Sequence, residues 1–506
     1  MSTRTDLQPI LIGAAQQTWR ERDTSRTPSD ALEWVIRSAL EDSGVPELGN
    51  RVDAVVQIPY VMNQVPELSE LVPRNSAMEA AVRLGVHAQH FTSDVGGNLP
   101  QQMLEQFARR LQQSEHSMVV LCGVELLGTF LHAMRNGDSV AAWSTGELPE
   151  PKVLGNTAPM ISDVEKAHGL WEPVNTYPLF ESSLAAAQGL NRTAHRQLLG
   201  QLTESMSEVA AANPYAWKRQ RFSAEQVLDT ADGNRLICDP YTKLMNAIIG
   251  VDQAAAVVLT TVGRARELGV DSSHWVYLWG AASASDSGTI SERPSLCDSD
   301  AIRQAGKMAL EQAGVTLQSI TDFDLYSCFP SAVQVACRAL GLDPLDERRV
   351  TVTGGLTLFG GPGNNYSLHA IAEMVDRLRK RADGIGLVTA NGGYLSKHAV
   401  GVYGSKAPDA LWTGLDNGKI QAQVDQTPRV PCAERGEGVY TIEAHTVRYG
   451  SSGPERAILL GRLSTDERCV AISDDHETIS ALIEENCVGR RANVVSRDGL
   501  NHVLLR

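Results

Sequence analysis

The chain has 506 residues, a formal net charge of −15 and eight cysteines. That length exceeds what one hydrophobic core ordinarily serves, so about two to four domains are expected. The excess of acid argues against a nucleic-acid or anionic-membrane partner, either of which needs a basic face to displace counterions.

The apolar stretch Pro9 to Ala15 is too short for a signal-peptide core, and no apolar run reaches membrane-spanning length. The cysteines show no CxxC pair and no His/Cys cluster at zinc spacing. A cytoplasmic protein with free thiols and no metal is the expectation. In chain order, a strand is predicted at Ile10 to Ala14, then a helix from about Ser29, which can cap it, to Gly44, and a strand at Ala54 to Ile58. Between Cys122 and about Asp239 lies a segment of helix formers and polar turns, carrying the basic stretch Lys218, Arg219 and Arg221. Val251 to Thr260 is a small-residue run ending in a strand.

The segment SDALEWVIRSALEDSGV, Ser29 to Val45, matches SDAIRQAGKMALEQAGV, Ser299 to Val315, at an offset of 270 residues. The match continues in register: Asp53 corresponds to Asp324, and the helix and strand after Gly96 correspond to those after Gly363. Three units repeated in order imply a duplicated α/β domain interrupted by an insertion. The second copy is organised around Gly354 to Gly404. There the loop Gly360-Gly361-Pro362-Gly363 opens a helix whose apolar face is Leu368, Ile371, Val375 and Leu378. A buried strand, Ile385 to Ala390, then ends in the turn Asn391-Gly392-Gly393. This layout places helix-start N–H groups beside a second glycine loop, as a small polar ligand requires. The glycines are no dinucleotide fingerprint, because G-x-G-x-x-G with a following acid is missing. No P-loop, nucleophile elbow or HExxH occurs either. From Ile420 onward, short β-like stretches broken by Gly, Ser and Asp predict a separate small barrel. Its acidic pairs Asp474-Asp475 and Glu484-Glu485 make a nucleic-acid role for it improbable.

Taken in order over residues 8 to 405, the duplicated halves, the VDQAAAVVLT strand, GGL, the GGPG loop and the closing glycine loop resemble the thiolase superfamily. The similarity is greatest to sterol-carrier-protein type thiolases and to type 1 thiolase-like proteins with an additional C-terminal domain. It implies a duplicated five-layer αβαβα fold with an inserted loop domain and an OB-like β-barrel. The expected division is 1–121 and 246–275 for the first half, 122–245 for the insertion, 276–406 for the second half and 407–506 for the barrel.

The family's nucleophilic cysteine, GHP histidine, CxG cysteine and NEAF or HDCF polar residue fall by this resemblance on Gly96, Gly361, Asn391 and Tyr326. None of these can supply the missing thiol or imidazole chemistry, and losing one member of such a set costs about three to six orders of magnitude. Backbone N–H groups at Gly97, Asn98, Gly363, Asn364, Gly392 and Gly393 are retained, so binding of coenzyme A or an acyl thioester is expected without a tightly bound cofactor. Lys218, Arg219 and Arg221 either receive the phosphates of coenzyme A or form a solvated stretch. Three alternatives stay open: an acyltransferase of the acetyl-CoA acetyltransferase type or a hydrolase using Cys328, Tyr326 or His398, and a non-catalytic scaffold for a partner enzyme. By resemblance, a homodimer and a monomer are both compatible with the sequence.

Overall fold

The computed structural model describes residues 4–64, 68, 75–140, 143, 148–155, 160–231, 233–286 and 288–505. The first half contains β1 (Pro9–Thr18), α1 (Pro28–Glu41), β2 (Ala54–Ile58), β3 (Gln89–Ser93), α2 (Leu99–Gln112) and β4 (Met118–Glu125). The insertion follows with β5 (Lys152–Leu154), α3 (Pro173–Ala187), α4 (Arg192–Ala212), β6 (Leu236–Cys238) and β7 (Tyr241–Thr242), and β8 (Gln253–Thr261) completes the half. The second half is β9 (Val276–Ser285), α5 (Asp300–Ala313), β10 (Asp322–Asp324), α6 (Pro330–Leu340), α7 (Tyr366–Arg379), β11 (Ile385–Gly392) and β12 (Lys397–Gly404).

The duplication read from the sequence is visible in the strand order. The first half runs β1-β8-β4-β2 and the second β9-β12-β11-β10, each with two antiparallel pairings and then a parallel one. The two sheets meet edge to edge where Ile10 pairs Tyr277 and Leu11 pairs Val276. Helices α2 and α7 pack between the sheets, touching strands of both, whereas α1 and α5 cover the outer faces. This is the five-layer α/β arrangement. Strands β4 and β8 are buried along their whole length because helices lie on both sides.

Local chemistry sets the helix ends. Thr27, rather than Ser29, caps α1: its side chain accepts from the Asp30 amide while Asp30 reaches back to the Thr27 amide, and Pro28 opens the helix. Ser29 lies inside the helix and donates to Glu79 at 2.6 Å. Its repeat counterpart Ser299 does cap α5. The closing turn also shifts, since β11 continues through Asn391 and Gly392.

After a two-residue strand, β13 (Cys432–Ala433), the chain forms β14 (Gly438–Gly450), β15 (Gly453–Leu463), β16 (Arg468–Ser473), α8 (His476–Glu484), β17 (Arg491–Arg497) and β18 (Leu500–Leu504). Pairing runs β14-β15-β16-β18-β17 and back to β14, with β16 and β18 parallel and the rest antiparallel. The result is a closed five-stranded barrel of OB-like order with its own core around Tyr440, Leu459 and Leu482.

The barrel is stitched to the insertion. Strand β6 adds to β14 through Cys238 and Arg448, α3 packs on β14, and the His445 amide donates to Ser182 Oγ at 2.9 Å. Buried Arg468 donates to the carbonyls of Ser291 (2.9 Å) and Arg293 (2.6 Å). No helix among the described residues is long and apolar enough to cross a membrane.

Candidate functional site

The turn from β3 into α2 carries Gly96, Gly97 and Asn98. A Cβ at Gly97 would lie 2.5 Å from the Asn391 carbonyl oxygen and 2.6 Å from the Tyr326 hydroxyl, so both side-chain and backbone atoms press on this glycine. A Cβ at Gly96 would lie 2.5 Å from Asn98 Oδ1, and one at Gly392 would fall on the same oxygen. Asn98 donates to Gln102 at 3.0 Å, and its Oδ1 is buried without a hydrogen-bond partner. Ser367, in the first turn of α7, donates to the Gly97 carbonyl at 2.7 Å, so the starts of α2 and α7 meet. Gly96, Gly97, Asn98, Tyr326, Asn391 and Gly392 thus form one group.

The insertion reaches this group through Tyr177 on α3. Its hydroxyl accepts from Asn391 Nδ2 and donates to the Gly393 carbonyl, both at 3.1 Å. Its ring stacks on Phe329 with centroids 4.5 Å apart. Cys328 is buried beside the same hydroxyl, and burial pushes its thiol up to about 12, with the Tyr177 hydrogen bond opposing only in part. Burial also holds the Tyr326 phenol above its ordinary range, and the neighbouring Cys328 adds to the effect. Neither group is poised to ionise near neutral pH.

His398 stands directly opposite Asn391 in the β11/β12 ladder. Its Nε2 lies 3.1 Å from the Leu395 carbonyl oxygen and 3.5 Å from Asp286 Oδ2. Two acceptors on Nε2 place the hydrogen there and leave Nδ1 as the basic nitrogen. Asp286 is held in turn by Ser299 Oγ and by the Ala301 amide at 3.0 Å. Burial acts to raise its carboxyl, but the hydrogen bond from His398 and nearby positive charge outweigh this and hold it below the usual range. Tyr326, Thr389, Asn391, His398, Ile302 and Ala336 share a small cavity of about 10 Å³.

Gly361 stands apart from this group. Its amide donates to the Ile248 carbonyl at 2.9 Å, and Ala247 and Leu356 are the nearest side chains. At the end of the same loop, Gly363 (φ +51°) sits against Glu125, and Asn364 donates to the Pro59 carbonyl at 2.9 Å.

The basic stretch divides. Lys218 is half-buried, and its amide donates to the Leu358 carbonyl at 2.9 Å, beside the glycine loop. Burial, then repulsion from Lys243, lowers its pKa. Arg221 is committed to Glu208, which also holds Arg349, and Arg219 is exposed. Sequence reasoning missed Tyr177, Asp286 and Lys243. No motif marks the first or third, and Asp286 becomes visible only as the neighbour of the cap Ser299.

Two mirrored βα halves, a central helix pair and a site at the start of α2 define a thiolase-superfamily fold. Matching confirms this at two depths. Residues 419–499 match the family model described as the thiolase-like protein type 1 additional C-terminal domain. The chain is 30% identical to a monomeric SCP2-thiolase-like protein type 1 from Mycobacterium smegmatis, with 99% of each chain covered and a TM-score of 0.84. It therefore belongs to the SCP2-thiolase-like protein type 1 family. The Acat5 thiolase from Ascaris suum, solved with coenzyme A, shares the fold at 18% identity and a TM-score of 0.55, over 78% of this chain and 99% of that one. A 3-ketoacyl-CoA thiolase from Erwinia tasmaniensis is 29% identical over 153 residues, 28% of this chain and 33% of that protein. The match thus spans about a third of that curated relative.

Proposed function

We propose that this protein binds coenzyme A or an acyl thioester at the start of α2, in cytoplasmic acyl or lipid metabolism, without thiolase cleavage or condensation. The observation that carries this is at Gly96, where the family's nucleophile would stand: it offers no thiol, and a Cβ there would lie 2.5 Å from Asn98 Oδ1. The thiol near the group, Cys328, is buried and protonated. The backbone amides of Gly97 and Asn98 have no partner among the described residues and open a 14-residue helix, which suits a thioester oxygen. Lys218, beside the glycine loop, and Lys243, close enough to repel it, make no ion pair among the described residues and suit the phosphates of coenzyme A. Lys218 is the member of the basic stretch with this placement.

Calorimetric titration with coenzyme A, acetyl-CoA and a medium-chain acyl-CoA tests the reading. Binding is expected, weakened roughly tenfold, about 1.4 kcal/mol, in Lys218→Glu or Lys243→Glu. Absence of binding to all three would overturn it. A non-catalytic subunit serving a partner enzyme, favoured by the packing of Tyr177, Tyr326 and Asn98 into the site, would then lead.

A further inference from the structure

The cavity between Tyr326, Asn391 and His398 has a composition that the binding reading leaves unused. At about 10 Å³ it has room for a single water. A buried water needs two to four polar partners, and the wall includes the polar residues Tyr326, His398 and Asn391. Asn391 Oδ1 is buried with no hydrogen-bond partner, an acceptor that a water would satisfy. Behind His398, Asp286 fixes the ring through Nε2, as an orienting carboxylate does for a general base.

We propose that His398, oriented by Asp286, activates one water in this cavity to hydrolyse a bound acyl thioester. The water oxygen bonds to the thioester carbonyl carbon as its proton passes to Nδ1 of His398. Negative charge gathers on the carbonyl oxygen beside the amides that open α2. Collapse breaks the C–S bond, and the proton on Nδ1 is returned to the departing thiolate. A carboxylic acid and a free thiol result, with no change of oxidation state and no protein nucleophile. His398 is the catalytic residue and Asp286 a positioning residue. The inference rests on the thioester binding proposed above.

The full chain is titrated calorimetrically with acetyl-CoA, and thiol release is followed in heavy-oxygen water. Slow release with one heavy oxygen in the acetate is expected. His398→Gln should lower kcat by about 10²–10⁴-fold with the Kd for acetyl-CoA unchanged. Asp286→Asn should lower kcat, and Asp286→Glu should restore part of it. Circular dichroism and thermal melting establish that each variant is folded. Should His398→Gln fail to fold, Ala336→Leu fills the cavity from α6 while both residues of the pair are kept, and the same loss is expected. Binding without release by the native chain would overturn the hydrolytic step and spare the binding reading. Absence of binding would overturn both. Unchanged release in a folded His398→Gln or Ala336→Leu variant would also overturn the proposal.

Discussion

Cys328 carries the thiol that sequence reasoning singled out, and its surroundings decide its reactivity. With its pKa pushed up to about 12 by burial, almost no thiolate exists near pH 8. Iodoacetamide at that pH is therefore expected to label the part-exposed Cys297 and Cys432 well before Cys328, as peptide mass mapping would show. Glu125, beneath Gly363, behaves in the opposite sense to an ordinary surface carboxylate. Burial pushes its carboxyl from 4.5 up to about 8, the Val61 amide opposing and Asp252 adding to the rise. Between those values the unfolded chain has released the proton and the folded chain has kept it, so stability is lost as pH climbs from 4.5 towards 8. The slope approaches roughly 1.4 kcal/mol per pH unit. Urea unfolding of Glu125→Gln should lack that slope; a Glu125→Gln curve parallel to the native one would refute it. Neither behaviour is legible in the sequence, because Glu125 and Gly363 meet only across the two halves of the fold.

Whole elements were more legible than their neighbours. Period and glycine spacing locate β8, α7, β11 and the barrel as a whole, since a buried strand or an amphipathic helix leaves its signature within about ten residues. The start of α1 was misjudged by two residues. Ser29 has the right chemistry for a cap, but Thr27, Pro28 and Asp30 together satisfy more backbone donors two residues earlier. Thr27→Ala should cost about 1 kcal/mol of stability, read as a lower urea midpoint at unchanged slope. The meeting of Tyr177, Asn391 and Tyr326 was illegible for another reason. It depends on where α3 of the insertion settles, against β14 of the barrel and α6 of the second half, rather than on anything local to residue 177.

At the scale of the molecule, the barrel supports the site from behind. Helix α3, which carries Tyr177, is clasped by β14 through Ser182 and His445 and by Asn486, which donates to the Ser182 carbonyl at 2.8 Å. A chain ending before β14 should therefore lose more than its own barrel. It is expected to melt at a lower temperature and to bind acyl-CoA more weakly than the whole protein. Equal affinity in the shortened chain would show that α3 holds its place unaided.

The pairing of β6 with β14 also bears on how the protein is made. Cys238 and Thr446, whose side chains touch at 3.1 Å, are 208 positions apart in the chain. At about 5–20 residues per second, a ribosome needs roughly 10–40 s to deliver the second after the first. Throughout that interval the outer edge of β6 has no strand to join, and the nascent insertion must wait, sticky-edged, for β14.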